Sequence, residues 1–219
     1  MDFDPMAMIA ALPQIGQASL TNLWIAVVAT AIALVIATGI TVLRALRIRV
    51  ITTVLDIVVS AVRGTPILIQ IFLFYYGLPT LGLDIPPLIA GFCAVAFNSS
   101  MFVSELLRGG LTGMDRGPIE AAVALALPRR VIWSQVVLPQ LYLRVLPALV
   151  GEITMVVKAT VLLSSITVVE ALRTAQQLAS ANFRFLEMML AAGILLALIN
   201  LAIAFIGAVI EGRLAVRRG

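Results

Sequence analysis

Four charged side chains stand in surroundings that are almost wholly apolar: Asp56 and Arg63 within 51–77, and Glu152 and Lys158 within 141–167. Carboxylates and a lysine in such places could serve acid–base chemistry, nucleophilic catalysis or the binding of an ion. What the chain lacks narrows this. It has no histidine, the commonest general base and metal ligand, and its one cysteine, Cys93, can form neither an internal disulfide nor a thiolate cluster. No catalytic set and no metal set is expected. Asp56 and Arg63 share a helix face but lie about 10 Å apart along its axis, and Glu152 and Lys158 are turned about 120° from one another. Each therefore needs a partner on another element. Gln70, Asn98, Ser99, Ser100, Thr160, Ser164 and Ser165 add polar groups to the same apolar runs. Such groups either pack helix against helix or line a path for a polar solute.

The composition identifies the solvent around them. Of the 219 residues 62% are hydrophobic and 12% charged, and the mean hydropathy is +1.12. Soluble domains have about 45–50% apolar and about 25% charged residues. Too little polar surface remains to cover a globule in water, so the solvent is lipid, where a charge at mid-depth costs about 2.5–3.5 kcal/mol on insertion scales. The four charges are functional or structural specialists.

A helix crosses the hydrocarbon in about 20 residues. The apolar runs predict spans at 19–43, 51–77, 87–107, 141–167 and 188–210, an all-α integral membrane protein of about five transmembrane helices forming a single domain over 1–219. The acidic start, Met1-Asp2-Phe3-Asp4-Pro5, lacks the basic region of a signal peptide, and the first run is expected to remain as an anchor. With the N-terminus outside, the inner segments hold Arg44, Arg47 and Arg49, then Arg108, Arg116, Arg129, Arg130 and Arg144, then Arg213, Arg217 and Arg218. The outer segments hold only Arg173 and Arg184 among basic groups, with Asp2, Asp4, Asp84 and Glu170. That bias puts the C-terminus in the cytoplasm and explains the pI near 10 without nucleic acid.

One connection is long. Residues 108–140 read as two short helices, the first opened by Gly117-Pro118 and carrying Glu120-Ala121-Ala122 in strong helix formers. Pro128 breaks it, and a second runs from Arg129 to Leu138, ended by Pro139. Apolar and basic groups on a cytoplasmic loop fit two roles, an interfacial element on anionic lipid or a dock for a soluble partner.

The loop resembles a known family. Glu120-Ala121-Ala122 followed by Val137-Leu138-Pro139 is similar to the EAA loop of permease subunits of type I ABC importers, and further motifs point to the polar amino-acid permeases among them. These are Arg63-Gly64-Thr65-Pro66 with Gln70, Tyr76-Gly77-Leu78-Pro79, Asn98-Ser99, Glu105, Arg108-Gly109-Gly110, Lys158 with Thr160, Leu162 and Ser164, and 175–180. The set keeps its order over roughly 18–213. Three departures stand out: Ala126 where the family has glycine, Ala159 where it often has aspartate, and Met101-Phe102 where a small residue and an aromatic are common.

The resemblance implies a permease that moves a polar or charged amino acid, or an analogue such as an opine, across the plasma (inner) membrane of a bacterium. It implies two ATPase subunits, a second permease (identical or related) and an extracytoplasmic binding protein as partners. ATP and Mg fall to the ATPase, since the chain has no phosphate loop and its one lysine, Lys158, sits in a span. Gly117, Glu120, Ala121, Ala122, Ala126, Leu138 and Pro139 are the expected coupling residues. Arg63, Gln70, Asn98, Ser99, Glu152, Lys158, Thr160 and Ser164 are candidates for the pathway. Another small solute, or an ATP-independent channel or secondary carrier, is the alternative.

Overall fold

The computed structural model describes residues 3–216. Asp2, Arg217 and Arg218, counted above in the charge bias, lie outside them. Pro5 at a first helical position leaves no orphan N–H, and the Asp4 carboxylate accepts from the N–H groups of Met6 (2.9 Å) and Ala7 (3.2 Å). They start α1 (Pro5–Ala45), whose 41 residues reach about 60 Å, twice the hydrocarbon depth. The first span was expected from Ser19. The extra turns project beyond it and bury Ala11 and Ile15 against Ala171, Ala175 and Met188.

One stripe of α1 is small. Ala26, Ala29, Ala33 and Ala37 are fully buried, which lets neighbouring backbones come close where lipid offers no hydrophobic drive to association. Against this stripe pack α4 (Pro87–Thr112) and α6 (Arg129–Ile166). Where α4 meets α6, a Cβ on Gly110 would collide with Val145 and come within 2.9 Å of Leu141 Cδ1, so any larger residue would force these side chains to shift. A short α7 (Ala171–Asn182) and the apolar α8 (Phe185–Val216) complete the bundle. Among the described residues four helices are long and apolar enough to span a membrane.

The second span in chain order is broken. The expected stretch 51–77 folds as α2 (Arg49–Arg63) and α3 (Ile67–Thr80), bent by 104° at Gly64-Thr65-Pro66. Pro66 has no N–H for a helical bond, and a residue before proline avoids helical angles. A second correction concerns Pro139, which does not end the loop's second helix. That helix runs on into the fourth span as one element, α6, because Ile132–Val137 is π-helical and the wide turn relieves the clash a proline makes with the preceding turn. Leu73–Gly77, just before Pro79, does the same in α3.

The first loop helix, α5 (Gly117–Ala124), ends in a Schellman turn: Leu127 N–H donates to Ala122 O (3.2 Å) and Ala126 N–H to Val123 O (2.9 Å). Ala126 sits at φ 53°, in the left-handed region. Pro128 is thus not the sole cause of the break, because position 126 itself takes a conformation that favours glycine. An alanine there bears about 1–2 kcal/mol of strain, of which glycine's extra unfolded-state freedom returns part. Ala126→Gly is expected to stabilise the protein by about 0.5–1 kcal/mol, read as a raised midpoint in thermal unfolding in detergent.

Candidate functional site

A cavity of about 390 Å³ opens at the break in the second span. Thr65, Pro66 and Ile67 form one wall, Val95, Asn98 and Phe102 of α4 another, and Glu152, Met155, Val156 and Ala159 of α6 a third. Non-helical backbone at membrane depth is tolerated where it is buried in protein or lines a wet cavity, and here Thr65 and Pro66 line the cavity. Glu152 is the one ionisable group among these lining residues, and its Oε1 accepts from Ser99 Oγ at 2.9 Å. Asn98 Nδ2 donates to Gln70 Oε1 at 3.1 Å.

Gln70 is buried behind that wall and faces the break. Its Nε2 donates to the carbonyls of Val62 (2.8 Å) and Thr65 (2.9 Å), which the bend deprives of helical partners. Of the candidate pathway residues the structure therefore brings Gln70, Asn98, Ser99 and Glu152 together. The other four lie elsewhere. Arg63 stacks over the Phe102 ring, 5.2 Å from its centroid, and approaches Glu105 at 3.6 Å. Lys158 is exposed and is not among the lining residues, although its Nζ lies 3.7 Å from the Sδ of Met155, which is one of them. Ser164 bonds back to Val161 O, and Thr160 belongs to a separate network.

That network was missed in the sequence. Glu170, counted there as an outer charge, is fully buried and caps α7 by accepting from Leu172 N (2.9 Å) and Arg173 N (2.8 Å). Asn22 of α1, also fully buried, donates to Glu170 Oε2 (3.0 Å) and Thr160 Oγ1 (2.9 Å) and accepts from Ala171 N (3.1 Å). Burial raises the Glu170 carboxyl above the usual carboxylate range, against the pull of these donors. An asparagine within an otherwise apolar span was the available signal.

A second cluster ties α1, α2 and α4. Arg44, its side chain 9% exposed, meets Glu105 and Asp56 at 2.8 Å each, and Glu105 also binds Arg108 at 2.7 Å. The i,i+3 pair of Glu105 and Arg108 was expected; the buried Arg44 was not.

On the loop, α5 turns Glu120, Ala121, Val123 and Leu125 outward and buries Ala122 against Ile132 and Val137. Gly117, Ala126 and Pro139 are exposed, while Leu138 is half-buried. Ala122 thus fixes the helix to its own chain, and Glu120 and Ala121 form the free face.

Known proteins share this fold. The family described as binding-protein-dependent transport system inner membrane component matches residues 38–216. The chain belongs to that family. It is the permease of an importer whose ATP is hydrolysed on a separate subunit and whose solute is delivered by a binding protein, and it resides in the inner membrane as a multi-pass protein. The arginine transport system permease protein ArtQ of Bacillus subtilis (strain 168) is 32% identical over 98% of both chains. The octopine transport system permease protein OccM of Rhizobium radiobacter is 31% identical over 86% of this chain and 81% of its own. Among solved structures, an amino acid ABC transporter crystallised with histidines superposes with a TM-score of 0.88 at 28% identity, covering 97% of this permease and 100% of that chain. The inward-facing MetNI methionine transporter shares the fold alone, with a TM-score of 0.75 at 17% identity over 91% and 95%.

Removing the Asn22 side chain would take a donor from Thr160 Oγ1 and from Glu170 Oε2 and leave the buried Ala171 N–H at the α7 N-terminus without a partner. Each buried bond lost costs about 1–3 kcal/mol, so Asn22→Ala is expected to destabilise the permease by about 3 kcal/mol or more, seen as a lower thermal midpoint. Glu105→Gln takes one of two carboxylates from the buried Arg44, which keeps Asp56, and is expected to cost about 1.5–3 kcal/mol by the same measure.

Proposed function

We propose that this permease moves a polar amino acid whose cationic group is received by Glu152. The observation that carries this reading is the polarity of the cavity: one carboxylate, an asparagine amide, and no basic group among its lining residues. A carboxylate in an apolar site binds an ammonium or guanidinium by a charge-assisted hydrogen bond and repels an anion. The names of the arginine and octopine permeases agree with such a cargo. Asn98 offers an amide to the rest of the solute, and Gln70 and Ser99 hold Asn98 and Glu152 in position. With Ala159 in the wall instead of an aspartate, Glu152 carries the recognition of charge alone.

The coupling reading rests on the outward face of α5. Glu120, exposed in its first turn, and the small Ala121 beside it would enter a groove of the ATPase, with Val123 and Leu125, 61% and 74% exposed, covered on docking. Two permeases, identical or related, would sit over two ATPases, which hold ATP and Mg. The N-terminus would face outward and the C-terminus the cytoplasm. In support, Asp4 and Glu187 meet at one end of the bundle, while Arg44, Arg108 and the loop arginines gather at the other.

The test is ATP hydrolysis by the assembled transporter in nanodiscs, with its binding protein and either a cationic or a neutral amino acid. Stimulation by the cationic one is expected, reduced about tenfold or more by Glu152→Gln with hydrolysis itself intact. Glu120→Ala is expected to abolish stimulation by any solute. Equal stimulation in wild type and Glu152→Gln would remove Glu152 from recognition. Uptake with no ATPase present would instead mark an ATP-independent carrier.

A further inference from the structure

At the arginine-rich end of the bundle two cavities adjoin, of about 870 and 430 Å³, and share Ala45, Arg47 and Trp133. The larger is lined by Arg47, Arg129 and Arg130 with no acidic residue, and by apolar Val42, Leu46, Ile132 and Leu138. The smaller adds Arg44 and Arg108, with Asp56 as the one acid. Asp56 is already engaged by Arg44 at 2.8 Å. Arg44, nine-tenths buried, keeps its Nε without a partner, so a donor remains unspent in this wall.

The pivot is Arg47. It occupies the residue after the C-cap of α1 at φ 55°, a left-handed conformation in which glycine is at ease and a long side chain is strained. Arg47 N–H closes the turn onto Arg44 O at 3.1 Å. The fold thus tolerates strain that glycine would release, and retains a guanidinium between the two cavities.

We infer that this paired cavity binds the headgroup of an anionic phospholipid, its phosphate held by Arg47 with Arg129 and Arg130 and its glycerol and first methylenes against Leu46 and Trp133. Basic pockets between spans near the membrane surface bind such headgroups, and a tryptophan at headgroup depth is the usual neighbour. The apolar walls select the lipid over free phosphate, which would gain nothing from them. The site also joins the end of α1 to the start of α6, the helix that continues from the coupling loop.

The experiment uses the assembled transporter in nanodiscs of phosphatidylcholine with or without phosphatidylglycerol, read by native mass spectrometry for retained lipid and by thermal unfolding. Phosphatidylglycerol is expected to be retained and to raise the unfolding midpoint. Arg47→Gln is expected to weaken retention about fivefold, the contribution of one basic group near an anionic surface, and Arg47→Lys to restore most of it. Arg47→Gly should also lose the lipid while raising the midpoint in phosphatidylcholine alone, which separates binding from folding. Unchanged retention in Arg47→Gln and Arg47→Gly would overturn the site. So would equal stabilisation by inorganic phosphate in phosphatidylcholine, or loss of the ATPase from Arg47→Gln with lipid retention intact, which would assign the groove to that subunit.

Discussion

Everything distinctive in this permease follows from one constraint: backbone that leaves the helical path in hydrocarbon must find its hydrogen-bond partners inside the protein. The chain leaves that path at two deep places and answers each with a buried polar side chain from elsewhere. At Gly64-Thr65-Pro66, Gln70 reaches back to the carbonyls of Val62 and Thr65. After Ile166, where Thr167 turns left-handed at φ 69°, Glu170 and Asn22 supply the caps that α7 needs. These amides and carboxylate are the conditions under which the spans can be broken at all.

The same constraint explains where the cavity is. A broken helix packs less closely than a straight one, and the free volume collects against α4 and α6 at the 104° bend. Polar groups needed to mend the backbone then stand next to a space able to take a polar solute. At the opposite extreme is the Glu105 cluster, where three helices are tied by charges rather than opened. Glu105 neutralises arginines from its own helix and from α1, with Arg63 of α2 nearby, so its single carboxylate lets positive groups crowd at one end of the bundle.

Much of this was legible in the residues. The number of spans, the bend of the charges to one end and the two-piece loop follow from hydropathy, arginine positions and prolines, which act locally. Less was visible wherever meaning depends on distance along the chain. Asn22 and Glu170 are separated by 148 positions, and nothing in either neighbourhood announces the other. Arg44 read as one more inner arginine, although its side chain is buried between two acids. Hydropathy does not place the break at Pro66, because apolar residues on both sides satisfy a window whether or not the helix is continuous. Pro139 misled in the opposite sense, because π-helical widening before a proline is not a feature that single-residue preferences encode. The substitution of alanine at 126 raised a question that only the backbone answers, through its positive φ.

Gln70 joins the two halves of the argument. Its nitrogen holds the break closed while its oxygen accepts from Asn98 in the cavity wall, so one planar amide is shared between the backbone and the site. A solute that draws the Asn98 amide toward itself removes a partner from Gln70 Oε1, and the cheapest replacement is a rotation that also disturbs the bonds to Val62 and Thr65. On the proposed reading, binding and the angle between α2 and α3 would be linked by that geometry without any longer chain of contacts. The link runs both ways, because a change in the bend that moves the two carbonyls reorients Gln70 and, through it, Asn98. The break in the second span is the wall of the cavity, and on the proposed reading it would also be the joint by which occupancy is felt.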